Sequence, residues 1–126
     1  MKTVIKTDNA PAPIGPYNQA IAAGNFIFVS GQIPADPATG DVILDDIKAA
    51  TKLVMENLKA ILNQGGADFS NVVKTTIFLT SMADFAQVNE VYGSYFTDNF
   101  PARETVQVAG LPKSVNVEIS VIAVKS

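Results

Sequence analysis

Apolar and polar residues recur with two different periods along this chain, and the change of period marks its elements. From Asp45 onward, apolar residues recur every three or four positions over about four turns, which predicts an amphipathic helix. Asp45 and Asp46 suit the positive N-terminal end of a helix, and Gly65-Gly66 suits its termination. The predicted apolar stripe consists of Ile47, Ala50, Val54, Leu58, Ile61 and Leu62.

A second helix is predicted after Ser81, where Asp84 follows at the spacing of a capping box. Pro101 is expected to close this helix, because proline cannot continue the backbone hydrogen bonding. Its apolar stripe consists of Phe85, Val88, Tyr92, Tyr95 and Phe96.

Stretches of alternating or β-branched residues predict six strands, at residues 3–6, 19–23, 26–30, 72–80, 105–109 and 115–124. Gly24-Asn25 between the second and third strands is a hairpin signal. The order is three strands, helix, strand, helix and two strands. This order predicts an α+β fold in which one mixed six-stranded sheet carries both helices on one face.

The alternation along the last strand assigns its residues to two faces. Its uninterrupted apolar set, which should pack under the helices, is Val115, Val117, Ile119, Val121 and Ala123. Glu118 then points to the opposite, helix-free face. In the preceding strand, Val106 and Val108 match the buried face, which places Arg103, Thr105 and Gln107 on the helix-free face with Glu118.

The helix-free face is also predicted to be apolar, since it carries Phe26, Phe28, Phe78, Ile122 and Val124. A single copy would leave this large patch in water. We therefore expect the sheet faces to pack together in a homo-oligomer, with Arg103 and Glu118 at or near an interface between subunits.

Composition narrows the possible chemistry. The length of 126 residues predicts one domain, residues 1–126, and the absence of cysteine and histidine argues against disulfides, thiol nucleophiles, triad hydrolysis and zinc chemistry. A net charge of −3 argues against binding to nucleic acid, which needs a basic face. No apolar run reaches membrane-spanning length and no targeting signal is recognised, so a cytoplasmic protein with no membrane association is expected.

Arg103 is the only arginine of the chain, and its planar guanidinium can bind a carboxylate with two parallel hydrogen bonds. The plainer interpretation is a surface ion pair. Glu118 is the matching candidate for acid–base chemistry, and its plainer interpretation is a structural ion pair with Arg103 across strands.

Four segments together resemble the Rid (YjgF-like) family of imine deaminases: PIGPYNQA at 13–20, FVSGQIP at 28–34, VNEVYGSYF at 88–96 and FPARETVQVAGLPKSVNVEISVIA at 100–123. The resemblance implies a chorismate-mutase-like fold and a homotrimer whose sheets form a central barrel, with sites in the clefts between subunits. It also implies hydrolysis of 2-imino acids such as 2-iminobutanoate and 2-iminopropanoate to 2-keto acids and ammonia, without metal or cofactor.

Residue by residue, the resemblance implies that Arg103 grips the substrate carboxylate, helped by the backbone of Thr105, and that Glu118 activates the attacking water. Other cleft residues implied by the resemblance are Tyr17, Ser30, Gly31 and Asn89. Each has a plainer interpretation: packing for Tyr17, a strand end for Ser30, a turn for Gly31 and solvent exposure for Asn89. The chain departs from the commoner family pattern at Glu104 and Ser120.

Three other functions remain open from the sequence. The same cleft could bind or sense small carboxylates without turnover, which loss of the Glu118 role would favour. An RNA-acting translation inhibitor is disfavoured by the acidic balance and the single arginine. A chorismate-mutase-type enzyme would need a second strong cation for its dicarboxylate substrate, and no second arginine exists.

Overall fold

The computed structural model describes residues 1–125, which form one mixed sheet with two helices on one face. The strands are β1 (Lys2–Ile5), β2 (Ala20–Ala23), β3 (Phe26–Gln32), β4 (Val72–Leu79), β5 (Ala102–Gln107) and β6 (Val117–Val124). The helices are α1 (Ile47–Gln64) and α2 (Phe85–Gly93), and three short 3₁₀ turns lie at Phe69–Asn71, Met82–Asp84 and Pro112–Ser114. No helix in this described part of the chain has the length and apolar character needed to cross a membrane.

Helix α1 begins and ends where the sequence predicts. The Asp46 side chain accepts a hydrogen bond from the Ala49 amide at 3.0 Å, which satisfies one of the free N–H groups of the first turn. At the other end, the Gly65 amide donates to the carbonyls of Ile61 and Leu62. The predicted helix boundaries are confirmed.

The strands are ordered β1-β2-β3-β6-β4-β5 across the sheet. The predicted hairpin is confirmed, because β2 and β3 pair antiparallel around Gly24, whose φ of 58° suits a glycine in a tight turn. All the neighbouring pairs are antiparallel except β4 and β5, which run parallel because α2 carries the chain back between them. Strand β6 lies between β3 and β4, at the centre of the sheet.

The core lies between this sheet and the two helices. Along β6, buried and partly exposed residues alternate without a break, and Val117, Ile119, Val121 and Ala123 lie under the helices. Val115, just before the strand, is also fully buried. The predicted α+β fold and the predicted buried face of the last strand are confirmed.

The face assigned to β5 is wrong. In the parallel pairing, Arg103 lies beside Thr75 and Thr105 lies beside Ile77, and both of these β4 residues are buried on the helix side. Arg103, Thr105 and Gln107 therefore point to the helix side, whereas Val106 pairs with Phe78 on the helix-free side. Alternation misleads here because β5 is an edge strand with exposed residues on both faces, and because the helix-free face also accepts valine.

The second helix is shorter than predicted. Ser81 does cap a helical segment, since its hydroxyl accepts from the Ala83 amide at 3.2 Å, but that segment is a 3₁₀ turn that leads into α2. Helix α2 ends at Gly93 rather than near Pro101. Tyr95 and Phe96 continue the apolar stripe beyond the helix end, in an aromatic cluster with Phe69.

The helix-free face is apolar, as predicted. Phe26 and Phe28 stack with ring centroids 6.0 Å apart and remain 47% and 45% exposed, and Val106 is 42% exposed. Phe78, Ile122 and Val124 are only partly buried. In the register of the sheet, Thr76 and Ser120 lie between the group at Phe28 and Ile122 and the pair Phe78 and Val106. This surface, here called the helix-free face, therefore carries two apolar groups that one copy of the chain leaves in water.

Candidate active site

Glu118 lies beside an irregularity in the central strands. The pairing of β3 with β6 slips by one residue between Val29 and Gln32, so that Ser30 and Gly31 form a β-bulge. A bulge bends the strand and redirects its side chains locally. The side chain of Glu118 fills the space that this bend leaves at Gly31.

Gly31 is required for that approach. A Cβ atom added at Gly31 would overlap the Glu118 carboxylate and would lie 2.8 Å from its Cδ and 3.0 Å from its Cγ. The glycine is therefore needed for close packing against Glu118 and not for a positive φ, which Gly31 does not have.

The Glu118 carboxylate is half-buried and forms no hydrogen bond or ion pair with any residue between Met1 and Lys125. Burial raises its pKa above the ordinary value, because a carboxylate loses hydration that nothing replaces. An unpaired carboxylate with a raised pKa is a suitable general base.

Ser30 lies at the bulge within β3, which continues to Gln32, so the interpretation of Ser30 as a strand end is wrong. Its hydroxyl donates to the Asn18 carbonyl at 2.6 Å, and its amide donates to the Gln19 carbonyl at 2.9 Å. These two bonds attach the loop that carries Tyr17 to the bulge. The side chain of Ser30 therefore has a structural partner already.

Tyr17 lies on that loop and is 46% exposed. Its hydroxyl accepts a hydrogen bond from the Ile14 amide at 3.3 Å. Tyr17, Gly31 and Lys113 are among the residues that line a cavity of about 310 Å³. We call Tyr17, Ser30, Gly31 and Glu118 the Glu118 half of the candidate site.

Arg103 lies at the opposite face of the sheet, under α2. Its Nη1 donates to Asn89 Oδ1 at 2.7 Å. The central carbon of its guanidinium is 5.2 Å from the ring centroid of Tyr92 and 5.6 Å from that of Phe85. These distances are in the range of cation–π contacts. We call Arg103, Asn89, Phe85 and Tyr92 the Arg103 half.

The spacing of α2 explains why its three side chains meet one guanidinium. Phe85, Asn89 and Tyr92 are four and three residues apart, which places them on one face of a helix. Together with Arg103, Asn89 and Tyr92 line a cavity of about 520 Å³ beside Phe100. The plainer interpretation of Asn89, exposure to solvent, is therefore wrong.

Thr105 is the next residue of β5 on the Arg103 side. Its hydroxyl oxygen is buried and has no hydrogen-bond partner within residues 1–125. Such a group is costly to leave unsatisfied. Because this oxygen is buried, it does not itself mark a ligand contact, and the expected role of the Thr105 backbone in binding stays a prediction.

The structure does not bring the two halves together within one chain. Glu118 pairs with Phe78 on the helix-free face, β4 separates β6 from β5, and Arg103 points to the helix side. The interpretation of Glu118 and Arg103 as a cross-strand ion pair is therefore wrong for a single copy. Glu104 points away from Arg103, as expected, and its carboxylate lies 3.0 Å from Lys74 Nζ.

Sequence reasoning missed the aromatic contacts of Arg103. Phe85 and Tyr92 fit the apolar stripe of α2, and nothing marks them as neighbours of a cation. The four-and-three spacing with Asn89 was the available signal. No cluster of potential metal ligands is present in the described part of the chain.

The family profile described as Endoribonuclease L-PSP matches residues 7–125, nearly the whole chain. The chain belongs to the Rid (YjgF-like) family. This assignment agrees with the four segments that carry the resemblance, and all seven candidate site residues lie within the matched region.

The names of the Rid relatives differ in how specifically they state a function. A RutC family protein of Pyrococcus horikoshii is 55% identical over 125 residues, 99% of each chain. The 2-iminobutanoate/2-iminopropanoate deaminase of Salmonella typhimurium is 46% identical over 128 residues, again 99% of each chain. The crystal structure of E. coli TdcF with bound serine is 43% identical, covers 98% of this chain and 99% of its own, and has a TM-score of 0.94.

This chain belongs to the Rid family, and one of its near relatives is named a deaminase. Both findings support its assignment as an enzyme of the hydrolase class. The names do not specify one substrate, since RutC is a generic family name and the profile itself is named for a ribonuclease.

Proposed function

We propose that this protein hydrolyses 2-imino acids, such as 2-iminobutanoate and 2-iminopropanoate, to the 2-keto acid and ammonia. The observation that carries the proposal is the Glu118 carboxylate, half-buried beside Gly31 and without a partner among the described residues. A carboxylate in that state is suited to remove a proton from water.

Arg103 supplies the second requirement of this reaction, a cation for the substrate carboxylate. Among the described residues it makes one side-chain hydrogen bond, from Nη1 to Asn89, which leaves its other guanidinium N–H groups to bind a carboxylate at two points. The bound serine of E. coli TdcF is also an amino acid with a carboxylate, which supports a ligand of this class.

The reaction requires no redox step. Glu118 takes a proton from water as the oxygen attacks the carbon of the C=N bond and passes this proton to the nitrogen, which gives a neutral tetrahedral carbinolamine. The Glu118 carboxylate then takes the proton of the carbinolamine hydroxyl group and delivers it to the nitrogen, so that the C=O bond forms as the C–N bond breaks and ammonia and the 2-keto acid leave. Orientation of water and imine, together with one general base, accelerates a hydrolysis that already proceeds in water.

In the proposed assembly, the Arg103 and the Glu118 of one site come from different copies of the chain. The exposed rings of Phe26 and Phe28 make the helix-free face suitable for contact between copies of the chain. In the proposed homotrimer, Arg103 of one copy lies in a cleft with Glu118 of the next. The sites are then shared between subunits, as the family resemblance implies.

A coupled assay tests the proposal directly. A threonine dehydratase generates 2-iminobutanoate, and release of the 2-keto acid is followed with and without this protein. The wild-type protein should accelerate release. If it binds 2-oxobutanoate but does not change the rate, the protein is a carboxylate-binding module and the proposal is wrong.

The Glu118→Gln variant identifies the base. Glutamine keeps the size of the side chain but cannot accept a proton, so turnover should fall about 100-fold or more while 2-oxobutanoate still binds in calorimetry. Turnover at the native rate would assign Glu118 a structural role. A parallel fall of turnover, binding and melting temperature would do the same.

Endoribonuclease activity, which the family profile names, is the rival function. The chain has no histidine to act as a base toward the ribose hydroxyl and has a net charge of −3, which opposes binding of a polyanion. Incubation with single-stranded RNA should therefore give no cleavage. Cleavage that Glu118→Gln abolishes would favour the rival.

A further inference from the structure

The Arg103 half holds a cation without neutralising it. Within residues 1–125, the hydrogen-bond and aromatic partners of the guanidinium are uncharged: the Asn89 side-chain oxygen at 2.7 Å and the rings of Tyr92 and Phe85 at 5.2 and 5.6 Å. An aromatic face attracts a cation through its quadrupole but carries no net charge. The guanidinium therefore keeps its full charge while its position is restricted.

Two lysine side chains, in contrast to Arg103, form ion pairs with glutamates. Lys74 pairs with Glu104 at 3.0 Å, and Lys48 pairs with Glu90 at 2.8 Å. Glu104 is next to Arg103 in the chain, yet its carboxylate is engaged by Lys74 on the other side of β5. Within residues 1–125, Arg103 has no ion-pair partner.

The ring of Tyr92 is itself fixed. Its hydroxyl and Thr75 Oγ1 are 2.8 Å apart, and Tyr92 is only 4% exposed. Burial raises the pKa of this phenol, so Tyr92 stays uncharged and does not become a counter-ion for Arg103. Thr75 lies beside Arg103 in the β4–β5 pairing, so the strand that supports Arg103 also orients the ring.

We propose that Tyr92 and Phe85 are positioning residues for Arg103. They fix the plane of the guanidinium and leave its charge and its free edge available to the carboxylate of the substrate. This inference rests on the proposed function for the identity of the substrate. It concerns the binding of a carboxylate, which can be measured without turnover.

The central experiment compares Tyr92→Leu with Tyr92→Phe. Leucine removes the ring, and we expect the Kd for 2-oxobutanoate and the KM for the imine to rise about tenfold while kcat changes less than about twofold, since binding is lost equally before and in the transition state. Phenylalanine keeps the ring, so Tyr92→Phe should remain within about twofold of wild type. A Tyr92→Phe variant that binds as weakly as Tyr92→Leu would overturn the inference.

Because Tyr92 is buried, its replacement by leucine can also affect folding. Phe85→Leu, at a partly exposed position, tests the second ring and should raise the same Kd about threefold with an unchanged melting temperature. Phe85→Leu that binds like wild type would contradict a role for that ring.

A double-mutant cycle separates positioning of Arg103 from any other effect of the ring. In the Arg103→Lys background, Tyr92→Leu should weaken 2-oxobutanoate binding less than about twofold, because the group that the ring orients is gone. An undiminished tenfold effect would overturn the inference. If wild-type protein binds 2-oxobutanoate but does not hydrolyse imines, the proposed function fails while this cycle still tests the inference. If the wild-type protein binds no carboxylate at all, the inference fails.

Discussion

The Glu118 half and the Arg103 half lie on opposite faces of one sheet and hold their charges by different means. Glu118 is on a central strand, where the missing side chain of Gly31 makes room for the carboxylate. Arg103 is on an edge strand, where two rings and an amide from α2 support the guanidinium. Within residues 1–125, neither Glu118 nor Arg103 has an ion-pair partner. One copy of the chain therefore presents these two charges on separate faces of its sheet.

The largest effect is expected when each half of the candidate site carries one defect. Arg103→Ala and Glu118→Gln should each lose about 100-fold or more of the imine hydrolysis. When both variants are co-expressed with different tags and the hybrid trimers are purified, about one third of the clefts should combine an intact Arg103 with an intact Glu118. Activity should therefore return to about one third of the wild-type value.

Two outcomes would contradict shared sites. Hybrids that remain as inactive as either variant would place the two residues in separate sites. Light scattering that detects only a folded monomer of 13.3 kDa at micromolar concentration would exclude the assembly itself.

Gly31→Ala changes only the Glu118 half. The added methyl group overlaps the end of the Glu118 side chain, which is flexible and can swing away, so the fold should survive while the carboxylate is displaced. Turnover should fall about 30-fold, equivalent to about 2 kcal/mol of transition-state stabilisation. Gly110→Ala is the matched control, since its Cβ would meet no atom within 4 Å. Equal activity of the two variants would show that the position of Glu118 does not matter.

Arg103→Lys changes only the other half. Lysine keeps the positive charge but cannot make the planar two-point contact with a carboxylate, so imine hydrolysis should fall at least about tenfold, or about 1.4 kcal/mol. The coupled assay and a melting curve should be recorded together. Near-normal turnover would reject the role of Arg103 as a carboxylate clamp.

The smallest effect concerns the pH dependence of stability. Burial raises the pKa of Glu118 in the folded protein above its unfolded value, so the penalty for its charge is absent below the unfolded pKa and grows as pH rises through the folded pKa. Glu118→Gln lacks this penalty. Its melting temperature relative to wild type should therefore increase from acidic to neutral pH by about 1–4 °C. A difference that is constant with pH would show that Glu118 is not destabilised by burial.

The fold could be predicted where one face of an element is fully buried. In β6 every second residue is buried, so alternation assigns Val117 and Ile119 correctly. In α1 the apolar period, the Asp46 cap and the Gly65 terminus all agree. In β5 neither face is well buried, so alternation counted from Val106 assigned the residues of this strand to the wrong faces of the sheet.

The members of the candidate site could be recognised individually, but their arrangement could not. Whether Arg103 and Glu118 share a face depends on β4 lying between their strands and on the parallel direction of β5, and both are properties of the whole chain. The bulge at Gly31 likewise depends on pairing with β6. Local pattern contains no information about strand order.

The single guanidinium group also allows ligand binding to be followed by chemical modification of the protein itself. Because Arg103 is the only arginine and the chain has no cysteine or histidine, a dicarbonyl reagent that modifies guanidinium groups has one main site of attachment. The mass spectrum of the intact chain then gives the fraction of molecules that carry the modification, and no coloured substrate is needed. Any anion that covers this side chain slows the modification, so a library of acids can be ranked by protection alone.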